Sequence, residues 1–195
     1  MVLVSQAELV KSAIAGQVVS FPTDTVPALA VRPDRAAALY QVKQRPSTKP
    51  LILMAAEWSD LIPYIQGTTA ELASWQQIAR VYFPGAVTLV LPASDLVPQA
   101  MNPTSSGTIG VRVPNLPLTR EILRQTKPMA TTSANLSGSE TLVTTSAIAK
   151  TFPQVPILQD ATPQKPQGSG LPSTVVQWQT ESWSILRQGS VNFQT

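Results

Sequence analysis

Residues 83–93 read FPGAVTLVLPA, and the stretch changes character after its third residue. Upstream, LASWQQIARVYF (72–83) carries apolar residues at helical spacing behind a capping-box pair, Thr68 with Glu71 three positions on. Pro84 and Gly85 end that helix, because proline lacks the backbone donor and glycine favours the turn. AVTLVLP is then a short, largely apolar run of the kind that forms a buried strand. This junction of helix, break and buried strand, repeated along the chain, decides the fold class.

Toward the N-terminus, Ser5 with Glu8 is a second capping box, opening a helix over about residues 5–16 that Gly16 can stop. QVVSF (17–21) reads as a strand ending at Pro22, Asp34 is placed to cap a helix through RAAALYQV (35–42), and PLILMA (50–55) is another buried strand. Toward the C-terminus come a strand TIGVRVP (108–114), a helix LTREILRQT (118–126), a strand PMATTS (128–133), a short helix TSAIAKTF (145–152) and a strand VPILQD (155–160). STVVQW (173–178) and SWSILRQ (182–188) read as a hairpin turning through Thr180 and Glu181. No repeat or internal boundary is visible in the 195 residues, so the expectation is one α/β domain over 1–195 with a mixed, twisted sheet and flanking helices. The linker-like DATPQKPQGSGLP (160–172) predicts a functional lid or a disordered segment.

Composition limits the chemistry. The chain has no cysteine and no histidine, which removes disulfides, thiolate chemistry, imidazole metal sites and any Ser-His-Asp scheme. Charged residues are 13% and the net charge is +3, a balance that permits an anionic ligand without demanding a nucleic-acid polymer. The first residues lack a basic region followed by a long apolar core, and no apolar run approaches the ~20 residues of a membrane span. The expectation is a soluble cytoplasmic protein without a membrane partner. Neither G-x-x-x-x-G-K-[ST] nor G-x-G-x-x-G occurs, and the 11 acids are scattered, so no permanent metal is expected.

What remains are hydroxyl-rich strand ends and cations with no acid beside them in the sequence. FPTDT (21–25), TTSANLSG (131–138) and GLPSTVV (170–176) each follow or open a strand, and open α/β sheets bind ligands in the crevice beyond strand ends. Taken singly, such stretches more often form turns and caps. KQRPSTKPLILM (43–54) places Lys43, Arg45 and Lys49 within seven residues and includes no acid. Lys43 read alone could be a solvated lysine at a helix C-terminus. Arg112, in GVRVP, read alone could form a strand-edge ion pair, but no acid lies near it in the sequence.

Taken in order, FPTDTV, KQRPSTKPLILM, FPGAVTLVLPA, GTIGVRVP, TTSANLSG, STVV and ILRQG resemble the YrdC-like family, the threonylcarbamoyl-AMP synthases, from about Phe21 to Gly189. Lys43 and Arg45 with Ser133 and Asn135 match its K-x-R and S-x-N signature. The resemblance implies a single YrdC-like domain with an open concave cleft. It implies synthesis of threonylcarbamoyl-adenylate from ATP, L-threonine and bicarbonate, with Mg2+ on the nucleotide and tRNA-modification proteins as partners. It implies Lys43 and Arg45 as catalytic cations; Arg45, Lys49, Thr108, Ser133, Asn135, Thr141 and Arg187 at ATP; and Thr25, Met54, Arg112, Thr131 and Ser173 at threonine. The chain departs from the family pattern at Pro27 and Ala28, where Tyr-Gly is usual, at Met54, where many members have histidine, and at Pro172, where glutamate is commoner. All of these lie toward the amino-acid half. A nucleotide-binding paralogue and a protein that binds tRNA or double-stranded RNA, weakly at physiological salt, stay open beside the synthase.

Overall fold

The computed structural model describes every residue except Met1, Arg45, Ser47, Thr48, Thr104, Ser105, Ala161, Pro163 and Thr195. Both capping boxes form. Ser5 and Glu8 open α1 (Gln6–Ile14), and Thr68 and Glu71 open α3 (Thr69–Tyr82), where Glu71 Oε2 accepts the Thr68 N–H at 2.8 Å. Glu71 Oε1 also accepts the Trp178 indole N–H at 3.1 Å, so a local cap is also a tertiary tie. Asp34 does not cap a helix. It sits in a 3-10 turn and pairs with Arg32, and α2 (Ala37–Lys43) begins without a side-chain cap. The remaining helices, α4 (Pro117–Thr126) and α5 (Thr145–Thr151), lie where the sequence places them.

The expected strands appear as β2 (Val19–Phe21), β4 (Ile52–Met54), β5 (Val87–Pro92), β6 (Thr108–Arg112), β7 (Met129–Ser133), β8 (Pro156–Leu158), β9 (Thr174–Gln179) and β10 (Ser182–Arg187). The last two form the expected hairpin, with Thr180 and Glu181 both at positive φ, as a two-residue turn between twisted strands requires. Two further strands, β1 (Val2–Val4) and β3 (Ala28–Val31), were not expected. Val2–Val4 is a strand because it pairs in parallel with β8, and the alanine-rich β3 because it lies between β2 and β7; both owe their state to distant partners.

Among the described residues all ten strands join one mixed sheet, in the order β1-β8-β2-β3-β7-β4-β6-β5-β9-β10. Successive side chains leave opposite faces. Leu29, Leu53, Leu89, Leu91, Val111 and Ala130 enter one core, which α2, α3 and α5 cover with Leu39, Trp75 and Ile148. The residues beside them, Ala28, Ala30, Met54 and Met129, enter a second core under α1 and α4. Those two helices cover one end of that face. The rest of it has no helix over it.

Beyond β10 the chain folds back on α3. Tyr82 stacks on Phe193 at 4.9 Å between ring centres, and Gln194 bonds the Tyr82 hydroxyl through both its backbone N–H and its carbonyl. Trp75, Trp178, Trp183 and Phe193 continue this as edge-to-face pairs.

Loss of an N-cap hydroxyl costs about 1 kcal/mol. Thr68→Ala should lower the unfolding free energy by about that amount and Thr68→Ser should not, as read from urea midpoints. Hydrogen bonds from Thr68 hold the Glu71 carboxyl below its ordinary pKa. Its contribution is therefore complete above the unfolded-state value and fades as pH falls through the depressed one, so the gap between wild type and Glu71→Ala should close on acidification.

Candidate functional site

The uncovered part of the sheet is the floor of a cavity of about 700 Å³. Most of its floor comes from residues two apart along a strand: Ile52 and Met54 from β4, Thr88 and Val90 from β5, Thr108, Gly110 and Arg112 from β6, Thr131 and Ser133 from β7 with Thr132 between them, and Val175 and Gln177 from β9. The site thus spreads across a sheet face instead of lying beyond the strand ends as expected, on the part of that face that α1 and α4 leave uncovered among the described residues. Loops carrying Thr23, Thr25, Lys49, Thr141 and Ser173 make its walls. Among the described residues the lining includes ten serines or threonines, three cations (Lys49, Arg112 and Arg187) and no carboxylate.

Arg112 is 4% exposed and is fixed from three directions. Its Nε donates to the Gly85 carbonyl at 3.0 Å, one terminal nitrogen to Thr25 Oγ1 at 2.8 Å and the other to Asp24 Oδ1 at 2.6 Å. The expectation that no acid stands near Arg112 is therefore corrected: Asp24 arrives from the loop between β2 and β3. It does not line the cavity and holds the guanidinium from behind. Three of the five guanidinium N–H groups are engaged, which leaves one on each terminal nitrogen, the number a carboxylate fork uses. Burial pulls the Arg112 pKa down, Asp24 opposes that, and Arg187 adds repulsion. Two cations close enough to repel across a cavity without acids favour an anion between them.

Lys43 is neither a solvated helix end nor part of the cavity lining. It is 1% exposed, and its ammonium donates to Thr132 Oγ1 at 3.2 Å, to Asn135 Oδ1 at 2.8 Å and to the Ser133 carbonyl. Asn135 in turn accepts from Ser133 Oγ at 2.7 Å and donates to the Ser139 carbonyl at 2.6 Å. Lys43 of the K-x-R motif therefore meets Ser133 and Asn135 of the S-x-N motif in space, and it fixes the turn that presents Ser133 to the cavity. The partner motif residue Arg45 lies outside the described residues.

Across the cavity, Arg187 grips the Ser173 carbonyl through Nε and Nη2, at 3.2 and 2.8 Å, while the Ser173 and Thr88 hydroxyls share a bond at 2.9 Å. Gly189, which ends the ILRQG stretch, must be glycine for packing reasons. A Cβ there would come within 2.3 Å of the Pro172 carbonyl oxygen. That close approach brings β10 and Arg187 onto the segment carrying Ser173.

The 160–172 loop, expected to be a lid or disordered, has a docked part at residues 167–170. Gly168 (φ +70°) rests against the Thr23 and Thr25 carbonyls, where a Cβ would meet oxygens at 2.6 and 2.4 Å. Ser169 N–H donates to the Asp24 carbonyl at 3.0 Å and Gly170 N–H to that of Thr25 at 2.9 Å.

Of the residues singled out in the sequence, Lys49, Thr108, Ser133, Thr141 and Arg187 line the cavity together with Thr25, Met54, Arg112, Thr131 and Ser173. Lys43 and Asn135 stand behind it. Sequence reasoning missed Thr23, Thr88, Thr132 and Gln177 in the lining, and Asp24 behind it. A polar residue inside an apolar strand, Thr88 in VTLVLP, was the available signal.

With this geometry in hand, comparison with known proteins decides the family. The family model described as "Telomere recombination" (Sua5, YciO, YrdC) matches residues 12–189. The chain belongs to the Sua5/YciO/YrdC family. It is 33% identical over 188 residues to the threonylcarbamoyl-AMP synthase of Vibrio campbellii, covering 93% of this chain and 97% of that one. To the protein of the same name from Vibrio vulnificus it is 41% identical over 137 residues, 67% of this chain and 72% of the relative. Among solved structures, a doubly substituted P. abyssi Sua5 superposes with a TM-score of 0.85 at 26% identity; 94% of this chain is covered, but only 53% of that one. This chain thus spans about half the length of that Sua5. E. coli YciO shares the fold with a TM-score of 0.81 at 24% identity, covering 96% of this chain and 90% of that one.

The Sua5/YciO/YrdC signature pair makes a stability prediction. Lys43→Met leaves the Ser133 carbonyl and Asn135 Oδ1 without their charged donor. It should destabilise the protein by about 1.5–3 kcal/mol in urea unfolding. A loss under about 0.5 kcal/mol would remove Lys43 from the account of how the turn is held.

Proposed function

We propose that this chain makes L-threonylcarbamoyladenylate from L-threonine, bicarbonate and ATP, releasing pyrophosphate, in the cytoplasm, to supply proteins that modify tRNA. The observation that carries the reading is one cavity whose described lining brings together three cations, ten hydroxyls and no carboxylate. Such a lining suits a nucleotide and an amino-acid carboxylate held side by side. The curated relatives that carry the name threonylcarbamoyl-AMP synthase support it.

In this reading threonine places its carboxylate on the two remaining Arg112 N–H groups, between Thr25, Thr131 and Ser173, with its side chain beside Met54, the register neighbour of Arg112. The neutral amine attacks the bicarbonate carbon; one amine proton leaves with the departing hydroxide as water, and a carbamate forms. A carbamate oxygen then bonds to the α-phosphorus as the bond to pyrophosphate breaks, and the electron pair leaves with pyrophosphate. No histidine is required, because the nucleophile comes from the substrates and the protein supplies position and charge. Lys49, Thr108, Ser133, Thr141 and Arg187 form the nucleotide side. Lys43 and Asn135 act by fixing Ser133.

Among the described residues no group of three or more acidic or sulfur- or imidazole-bearing side chains could hold a metal. In this reading magnesium enters on the triphosphate as part of the substrate, where it neutralises phosphate charge. Among the described residues no helix is long and apolar enough to cross a membrane. RNA as the main ligand gains little support, since the Trp75, Trp178, Trp183 and Phe193 rings pack on one another instead of offering stacking platforms.

Pyrophosphate release should require bicarbonate and an amino acid together, with threonine preferred. Arg112→Lys, which loses the planar fork, should lower kcat/KM for threonine by roughly 10²-fold. The KM for ATP should change by less than about threefold, because the lost contact is not to the nucleotide. Nucleotide binding with no release for any amino acid would favour the diverged paralogue.

A further inference from the structure

Residues 167–170 touch both walls of the cavity, and Gln167 is where they are tied down. Its backbone N–H donates to the Val143 carbonyl at 2.7 Å. Its side-chain amide donates to Thr145 Oγ1 at 2.8 Å and to Asp160 Oδ2 at 3.0 Å. Val143 and Thr145 continue directly from Thr141, which lines the cavity, and Leu142 N–H bonds the Ala134 carbonyl at 3.0 Å, next to Ser133. On its other side the strap is seated on residues 23–25 through Gly168, Ser169 and Gly170. Asp24 and Thr25 hold Arg112. A continuous line of bonded segments thus joins the Thr141 and Ser133 wall to the Arg112 fork.

We propose that Gln167 is a positioning residue that couples the nucleotide wall to the amino-acid wall, so that ATP and threonine bind with positive cooperativity. The inference rests on the synthase reading of the cavity. Each ligand orders its own wall, and the strap belongs to both. A ligand that rigidifies one wall also rigidifies the strap bonded to it, so the second ligand has less remaining freedom to remove. Alanine at 167 keeps the backbone bond to Val143 but removes both amide bonds, so each wall survives while the tie between them loosens. Thr145→Val removes one of the two.

The test is calorimetric titration of L-threonine without bicarbonate, in the presence and absence of saturating magnesium α,β-methylene-ATP, on wild type, Gln167→Ala and Thr145→Val. In wild type the analogue should tighten threonine binding by about fivefold or more. In Gln167→Ala that ratio should fall to within about twofold of one, with Thr145→Val between, while the analogue's own affinity and the melting temperature change little. A strap that served stability alone would lower the melting temperature and leave the ratio intact. A wild-type ratio of one, or an unchanged ratio in both variants, overturns the proposal. If Gln167→Ala does not fold, Thr145→Val decides it by the same ratio. Wild type that binds neither ligand overturns the synthase reading itself, an outcome distinct from binding without coupling.

Discussion

The guanidinium of Arg112 accepts no freedom. Gly85, Thr25 and Asp24, which hold it, lie 27, 87 and 88 positions away in sequence. The turn after α3, the loop between β2 and β3, and the C-terminal end of β6 therefore have to come together before the fork exists. A buried cation without those acceptors would be strongly unfavourable, so the cavity and the fold are stabilised by the same contacts. Preorganisation follows: the donors that face the cavity stay oriented because the others are already occupied.

The sheet makes this possible by dividing its faces. One face is sealed by α2, α3 and α5 and carries most of the apolar core, including Trp75 and the β5 leucines, each worth about 1.5–3 kcal/mol on burial. The other face is covered at one end by α1 and α4 and elsewhere bears hydroxyls, Gly110 and Arg112. Stability comes mainly from the first face, so polar side chains can be kept on the second. Lys43 extends the same logic to the rim, where a buried ammonium organises the turn bearing Ser133.

Much of this was legible in the sequence, and the exceptions share a cause. Capping boxes at Ser5 and Thr68, the break at Pro84 and Gly85 and the Thr180 hairpin turn are local signals, and each formed as read. β1 and β3 were missed because their state is decided by pairing with β8, β2 and β7, far away in sequence. The cavity residues were found through ordered motifs, but their arrangement across a face required knowing which strands are neighbours. Asp24 was overlooked behind Arg112 for the same reason, and the burial of Lys43 was not foreseen because nothing near it in sequence reveals that residues 132–135 fold over it.

The central claim is that Arg112, fixed from behind, presents its remaining N–H groups to a substrate carboxylate. Calorimetric titration of the wild-type protein with L-threonine and with L-threoninamide, which keeps the side chain and amine but lacks the charge, tests it directly. Charge-assisted hydrogen bonds of this kind predict that the amide binds about tenfold to a hundredfold more weakly. Equal affinity for the two would contradict the account, because the fork would then not be what recognises the amino acid.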